Sequence, residues 1–143
     1  YDYVLIDCPP SLSLLTIMAL VCSNSLLVPL QSEFFALEGL TQLMKTIDRI
    51  KNNLNPELSI KGILLTMYDK RNKLSGEVEK EAREYFKEKV YRTVVPRNVR
   101  LSEAPSHGMP VLLYDKNCPG SRSYFNFTQE FLDQEKVMES AAW

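Results

Sequence analysis

The apolar positions of this chain gather in short unbroken runs that alternate with longer amphipathic stretches. Tyr3-Val4-Leu5-Ile6 shows no polar alternation, the pattern of a strand buried on both faces, and Leu26-Leu27-Val28-Pro29-Leu30 is a second such run. Ile60 to Thr66 predicts a third strand and Tyr91 to Val95 a fourth, closed by Pro96-Arg97-Asn98. Ser11 to Cys22 is apolar nearly all round, which predicts a buried helix with Ser11 or Ser13 as its N-cap. In Phe34 to Leu54, Leu37, Leu40, Leu43, Met44, Ile47 and Ile50 recur at helical spacing, while Lys45, Asp48, Arg49 and Lys51 take the opposite face. Pro56 and the asparagines before it end that helix.

A further helix is predicted from Ser75, as its cap, to Lys89, with Val78, Ala82, Tyr85 and Phe86 inward. Val99 to Pro110 reads as an irregular or short-helical segment and Val111 to Tyr114 as a brief extended piece. A last helix begins at Ser121, with Tyr124, Phe125, Thr128, Phe131 and Leu132 at helical spacing, and frays after about Lys136. Strands alternating with helices predict a parallel, helix-flanked α/β sheet.

Length and composition narrow the class. The 143 residues make one domain at most, and a 24% charged, 45% hydrophobic chain is an ordinary globular one. Net charge is −1, so any nucleic-acid binding must come from a local patch. Cys8, Cys22 and Cys118 form no CxxC pair and stand with a single histidine, His107, which excludes a clustered zinc site or a disulfide framework. No apolar run approaches the roughly 18 residues of a membrane span. The chain opens almost directly on a core strand, which points to a piece of a larger domain.

Candidate chemistry begins at Asp7. A carboxylate at the carboxyl end of a buried parallel strand sits where open α/β sheets bind ligands. Two readings stay open from this stretch alone: an aspartate that caps the next helix, or a Walker B aspartate that holds the magnesium of a bound nucleotide. The prolines Pro9 and Pro10 force the backbone out of the sheet immediately afterwards. His107 has no cysteine or placed acid near it in sequence and reads as a loop-packing residue.

Four stretches together, YDYVLIDCPPSLSLLT, PLQSEFFALEGLTQLM, GILLTMYDKR and VVPRNVRLSEAPSHGMPVLLYD, resemble the ParA/Soj-type chromosome-partitioning ATPases of the deviant-Walker P-loop class. The resemblance implies a three-layer P-loop NTPase-like fold with a mainly parallel sheet, the N-terminal part missing, and residues 1–143 as the C-terminal portion of one ATPase domain. It implies that Asp7 is the Walker B aspartate, acting on magnesium through water, and that Cys8 to Ser11, with Pro9 and Pro10, is the switch that senses the γ-phosphate. Glu33 to Gly39 resembles the segment that contributes to an ATP-dependent sandwich homodimer. The loops holding Thr66, Met67 and Asp69, and Pro96, Arg97 and Asn98, resemble those that enclose the adenine of ATP. Arg71 and Arg100 match arginines that hold double-stranded DNA without sequence preference, and Lys70 and Lys73 flank the first. Two basic loops on one sheet edge are expected to pool their charge into a patch that contacts phosphates.

A ParB-type partner that triggers hydrolysis, a cytoplasmic, nucleoid-associated location and no membrane contact are implied in the same way. The last helix is not the basic amphipathic helix that MinD uses at membranes. The family's glycine-rich loop is not in these residues: the five glycines are 39, 62, 76, 108 and 120, and no GK[ST] occurs. ATP and magnesium are therefore expected in the intact protein and not stably on this chain. A non-catalytic interaction module derived from the family and a MinD-like cell-division regulator are the alternatives. A nitrogenase iron-protein-like reductase would need its cluster cysteines elsewhere.

Overall fold

The computed structural model describes residues 1–9 and 13–141, with side chains through residue 136. Its centre is a three-stranded parallel sheet in the order β1 (Ser25–Gln31), β2 (Ser59–Tyr68), β3 (Val90–Pro96). Helices α2 (Ala36–Asn53) and α3 (Lys73–Phe86) supply the crossovers that parallel strands require. One face of the sheet, through Val28, Leu30, Ile63 and Leu65, packs with Leu40 of α2 and Ala82 of α3. The other face, through Leu64, Tyr91 and Val95, is covered by Phe127 and Phe131 of the long helix α6 (Pro119–Ala141). The result is helix, sheet, helix, the three-layer α/β arrangement.

The register of β2 against β1 shifts at one place. Leu26 pairs with Ile60 but Leu27 with Gly62, which puts Lys61 at a bulge. This bulge keeps Ile60 in the core on the α2 side and lets Lys61 reach α6. There its Nζ pairs with Glu135 and lies 5.7 Å from the Phe131 ring centroid.

The structure corrects several expectations. Tyr3–Ile6 is not a strand: residues 1–9 have no regular structure, and Leu5 is 85% exposed. A doubly buried strand needs a ladder partner on each edge, and among the described residues none lies beside it; only Tyr3 makes a ring contact, with Phe131 at 5.9 Å. The apolar helix is α1 (Leu14–Cys22), and it is not buried all round. Thr16, Ala19 and Leu20 are buried while Leu14, Leu15 and Met18 face outward, because α2 and the end of the sheet cover one side only. Asn55 anchors its end, donating from Nδ2 to the carbonyls of Leu20 and Ser23 at 3.0 and 2.9 Å.

Asn72, not Ser75, caps α3, its Oδ1 accepting from the Leu74 amide at 3.0 Å. That helix ends at Phe86 and leaves Tyr85 80% exposed. Val111–Tyr114 is not extended but one helical turn, α5, following α4 (Val99–Glu103) and a 3-10 turn over Ala104–His107. Pro110 fixes its start, with its carbonyl accepting from Leu113 and Tyr114 at 2.9 and 3.1 Å. The last helix begins two residues early, at Pro119, a favoured first helical residue. It continues to Ala141 rather than fraying after Lys136, and it turns Phe127 and Phe131 to the sheet while Phe125 stays exposed.

Candidate functional site

Parallel pairing brings the carboxyl ends of all three strands to one edge, where such sheets leave a crevice. β1 runs into Ser32-Glu33-Phe34, β2 into the turn from Met67 to Asn72, and β3 into Arg97, and these ends line a cleft of about 650 Å³. Two buried serines hold its wall together. The Ser32 amide and Oγ donate to the Thr66 carbonyl at 3.0 and 3.2 Å, and Ser75 Oγ donates to the Ser32 carbonyl at 3.2 Å. The Arg97 amide donates to the Tyr68 carbonyl at 3.0 Å, which fastens the end of β3 to that of β2.

Met67, on the cleft, has φ 53°, in the left-handed region that a non-glycine residue adopts at a cost of about 1–3 kcal/mol. The ladder between β2 and β3 is irregular between Leu65 and Tyr68, around this residue. Strain of this kind persists where surrounding structure over-determines the backbone, and the Ser32–Thr66 and Arg97–Tyr68 bonds do so here.

The charges of the edge are mostly paired. Asp69 receives the side chain of Arg71 at both oxygens, Nε at 3.1 Å and Nη2 at 3.0 Å, together with the Arg71 amide at 3.0 Å. Those bonds, with Arg71 and Arg97 charge nearby, hold the Asp69 carboxyl down at about 2. Arg97 Nη2 donates to Glu33 Oε1 at 3.1 Å, joining the ends of β3 and β1 across the cleft. Arg100 Nη1 donates to Glu103 Oε2 at 2.8 Å, and its Nε lies 3.6 Å from Asp115 Oδ2. The neighbouring Glu79 carboxylate, with burial second, raises the Tyr68 pKa.

The residues singled out from sequence fall into three groups. Met67, Asp69, Arg71 and Arg97 come together on the cleft, joined by Glu33. Thr66, Pro96 and Asn98 flank it without lining it: Thr66 gives its carbonyl to Ser32, Pro96 lies opposite Tyr68, and Asn98 caps α4 by accepting from the Arg100 amide at 2.9 Å. Lys70 and Lys73 are exposed at the turn into α3, with no ion partner among the described residues. Arg100 stands apart on α4, so the basic loops share an edge but their arginines each face a carboxylate instead of pooling free charge.

Asp7 and Pro9 are exposed in the N-terminal segment and off the cleft, and Pro10 and Ser11 lie outside the described residues. Among the described residues no group of three or more His, Cys, Asp or Glu could hold a metal ion. A magnesium ion would find one carboxylate at Asp7 and would need phosphate oxygens for the rest of its shell. His107 is exposed and stacks on Tyr114 at 5.0 Å. Ser32 and Ser75 carry no chemical motif in the sequence, and only their hydrogen bonds reveal them as cleft-forming residues.

A family model described as an AAA domain matches residues 1–60. The chromosome partitioning protein ParA of Caulobacter vibrioides is 56% identical over 99% of this chain and 53% of its own length. The sporulation initiation inhibitor protein Soj of Bacillus subtilis is 54% identical over 91% of this chain and 51% of its own. The chain belongs to the ParA/Soj family. It spans about half the length of the curated relatives it matches. Cobyrinic acid a,c-diamide synthase of Mycobacterium smegmatis, solved with bound ADP and magnesium, superposes with a TM-score of 0.71 at 29% identity, covering 91% of this ParA/Soj chain and 46% of the synthase. No helix among the described residues of this ParA/Soj chain is long and apolar enough to cross a membrane.

Proposed function

We propose that these 143 residues are the C-terminal portion, from the Walker B aspartate onward, of a ParA/Soj-type ATPase that partitions chromosomes or plasmids. The observation that carries this is the convergence of three parallel strand ends on one cleft, in a chain more than half identical to a partitioning protein over nearly its whole length. In the intact protein Met67, Asp69 and Arg97 stand beside the adenine, with Thr66, Pro96 and Asn98 shaping the loops that carry them. Asp7 supplies one carboxylate toward magnesium, and the residues from Cys8 through Ser11 respond to the γ-phosphate. Magnesium and ATP bring the charge neutralisation of phosphoryl transfer; this chain's part is to position the base and hold a carboxylate near the phosphates.

ATP then favours a homodimer. Phe34 and Phe35, exposed and in edge contact at 5.0 Å just past β1, are apolar surface suited to such an interface. The dimer binds double-stranded DNA at the nucleoid through Arg71, Arg100, Lys70 and Lys73 without reading sequence, and a ParB-type partner stimulates hydrolysis. In the full-length protein Arg71→Ala and Arg100→Ala are each expected to weaken binding to a random-sequence duplex several-fold at low salt, and Arg100→Ala, off the cleft, is expected to leave ATP affinity unchanged. Binding by the double variant equal to wild type at low salt would remove the DNA role.

A further inference from the structure

Arg100 does not present a bare cation to a phosphate. Its guanidinium faces two carboxylates, Glu103 through Nη1 at 2.8 Å and Asp115 beside Nε at 3.6 Å. The two acids come from different places, Glu103 from the end of α4 and Asp115 from the residue that closes α5. Each is also held by groups other than Arg100. The Tyr114 hydroxyl donates to Glu103 Oε2 at 3.4 Å, and the amides of Asn117 and Cys118 both donate to Asp115 Oδ1 at 3.1 Å. The Asn98 side chain fixes the Arg100 amide from below. One cation among two anions leaves this cluster at −1, the wrong sign for a nucleic-acid backbone.

A guanidinium binds phosphate best through paired N–H donors, and here Nη1 and Nε both point at acids. Asp115 stands at the Nε edge and Glu103 at Nη1, so a phosphate taking either paired face of the guanidinium, Nε with Nη2 or Nη1 with Nη2, must displace one of the two acids. Each exposed pair is weak, so the arrangement biases the arginine and does not lock it. Arg71 and Arg97 have acid partners too, but Asp69 and Glu33 line the cleft. Glu103 and Asp115 do not, so their charge can be changed without altering the candidate nucleotide pocket.

We propose that Glu103 and Asp115 form an autoinhibitory clamp on Arg100, competing with the phosphate backbone of duplex DNA and holding affinity below what the arginine alone would give. The proposal rests on the DNA-binding reading of Arg100 given above. It makes nucleic-acid affinity adjustable through acidic side chains that touch no nucleotide.

The test uses the full-length, ATP-loaded protein and a short duplex of arbitrary sequence over a range of salt concentrations. Glu103→Gln with Asp115→Asn is expected to bind about three- to tenfold more tightly at low salt, and Arg100→Ala in that background is expected to remove the gain. Asparagine at 115 keeps the oxygen that accepts from Asn117 and Cys118, and a thermal melt confirms that the fold is retained. If the double variant unfolds, Glu103→Gln alone is expected to bind about twofold more tightly. A charge-matched control at two exposed acids, Glu77 of α3 and Glu88 in the turn after it, Glu77→Gln with Glu88→Gln, is expected to give a smaller gain that Arg100→Ala does not remove. If Arg100→Ala weakens the wild type but neutralising the acids changes nothing, the clamp is overturned and the DNA role of Arg100 stands. A gain that survives Arg100→Ala, or that the control equals, reduces the acids to general charge and overturns the clamp. No response to any of these variants overturns both the clamp and the DNA reading.

Discussion

Gly62 and Tyr91 show how one atom can fix a layer. A Cβ built on Gly62 would lie 2.3 Å from Tyr91 Cε2, 2.9 Å from its Cζ and 3.1 Å from the Lys89 carbonyl. Tyr91 is buried against Leu64, Val95 and Phe127, with the Phe127 ring edge-on at 4.8 Å, so its ring has nowhere to go. Gly62→Ala is therefore expected to destabilise the chain by about 1–3 kcal/mol despite alanine's better strand entropy. Chemical denaturation measures it, and a loss under about 0.5 kcal/mol would show that Tyr91 can shift. The Tyr91 hydroxyl is buried with no hydrogen-bond partner, and burial, with the Glu130 charge second, pushes its pKa up to about 12. Because that pKa lies above its ordinary 10, the chain loses stability as pH rises between those values.

At the scale of elements, α6 does more than cover a face. Glu130 accepts from the Arg92 amide at 2.7 Å and the Thr93 amide at 2.9 Å, both on β3, which among the described residues pairs only with β2. A side chain thus takes the place of a ladder neighbour and closes an edge that would otherwise template strand addition. Burial works against the Glu130 charge, but the two amides, the Thr93 side chain and the Arg92 charge together outweigh it and hold the pKa below the usual range. A lowered carboxylate contributes stability that is present above its ordinary pKa of 4.5 and lost as pH falls below it. Glu130→Ala is expected to cost about 1–2 kcal/mol near neutral pH and less in acid, and to speed hydrogen exchange at the Arg92 and Thr93 amides. Unchanged exchange there would mean that water already serves those amides.

For the whole molecule, the cleft is built and the phosphate cradle is not in these residues. A cluster of backbone amides from a glycine-rich loop is what binds the phosphates of ATP, and no GK[ST] occurs among the 143 residues. The purified 143-residue chain is accordingly expected to show no magnesium-dependent ATP turnover. Turnover that Asp7→Ala abolishes would overturn that expectation and make this segment an enzyme in its own right.

The sequence by itself determined the class and most of the scaffold. Helical periodicity placed α2 and α3, unbroken apolar runs placed β1 to β3, and prolines and asparagines placed their ends, because these signals are local and repeat several times within each element. The family resemblance brought Met67, Asp69 and Arg97 forward, and they come out as neighbours because parallel strands gather their carboxyl ends on one edge. Pattern failed where burial depends on what lies alongside. Tyr3–Ile6 has the composition of a core strand but no ladder beside it, and Leu14, Leu15 and Met18 have no cover. On α6 several phenylalanines compete for the inward face, and only the packed sheet selects Phe127 and Phe131. Tertiary structure alone decided the charges. Arg97 meets Glu33 across 64 residues of chain, and Arg100 meets Asp115 across α5, so whether a basic loop is a free patch or a paired one is a matter of distance in space.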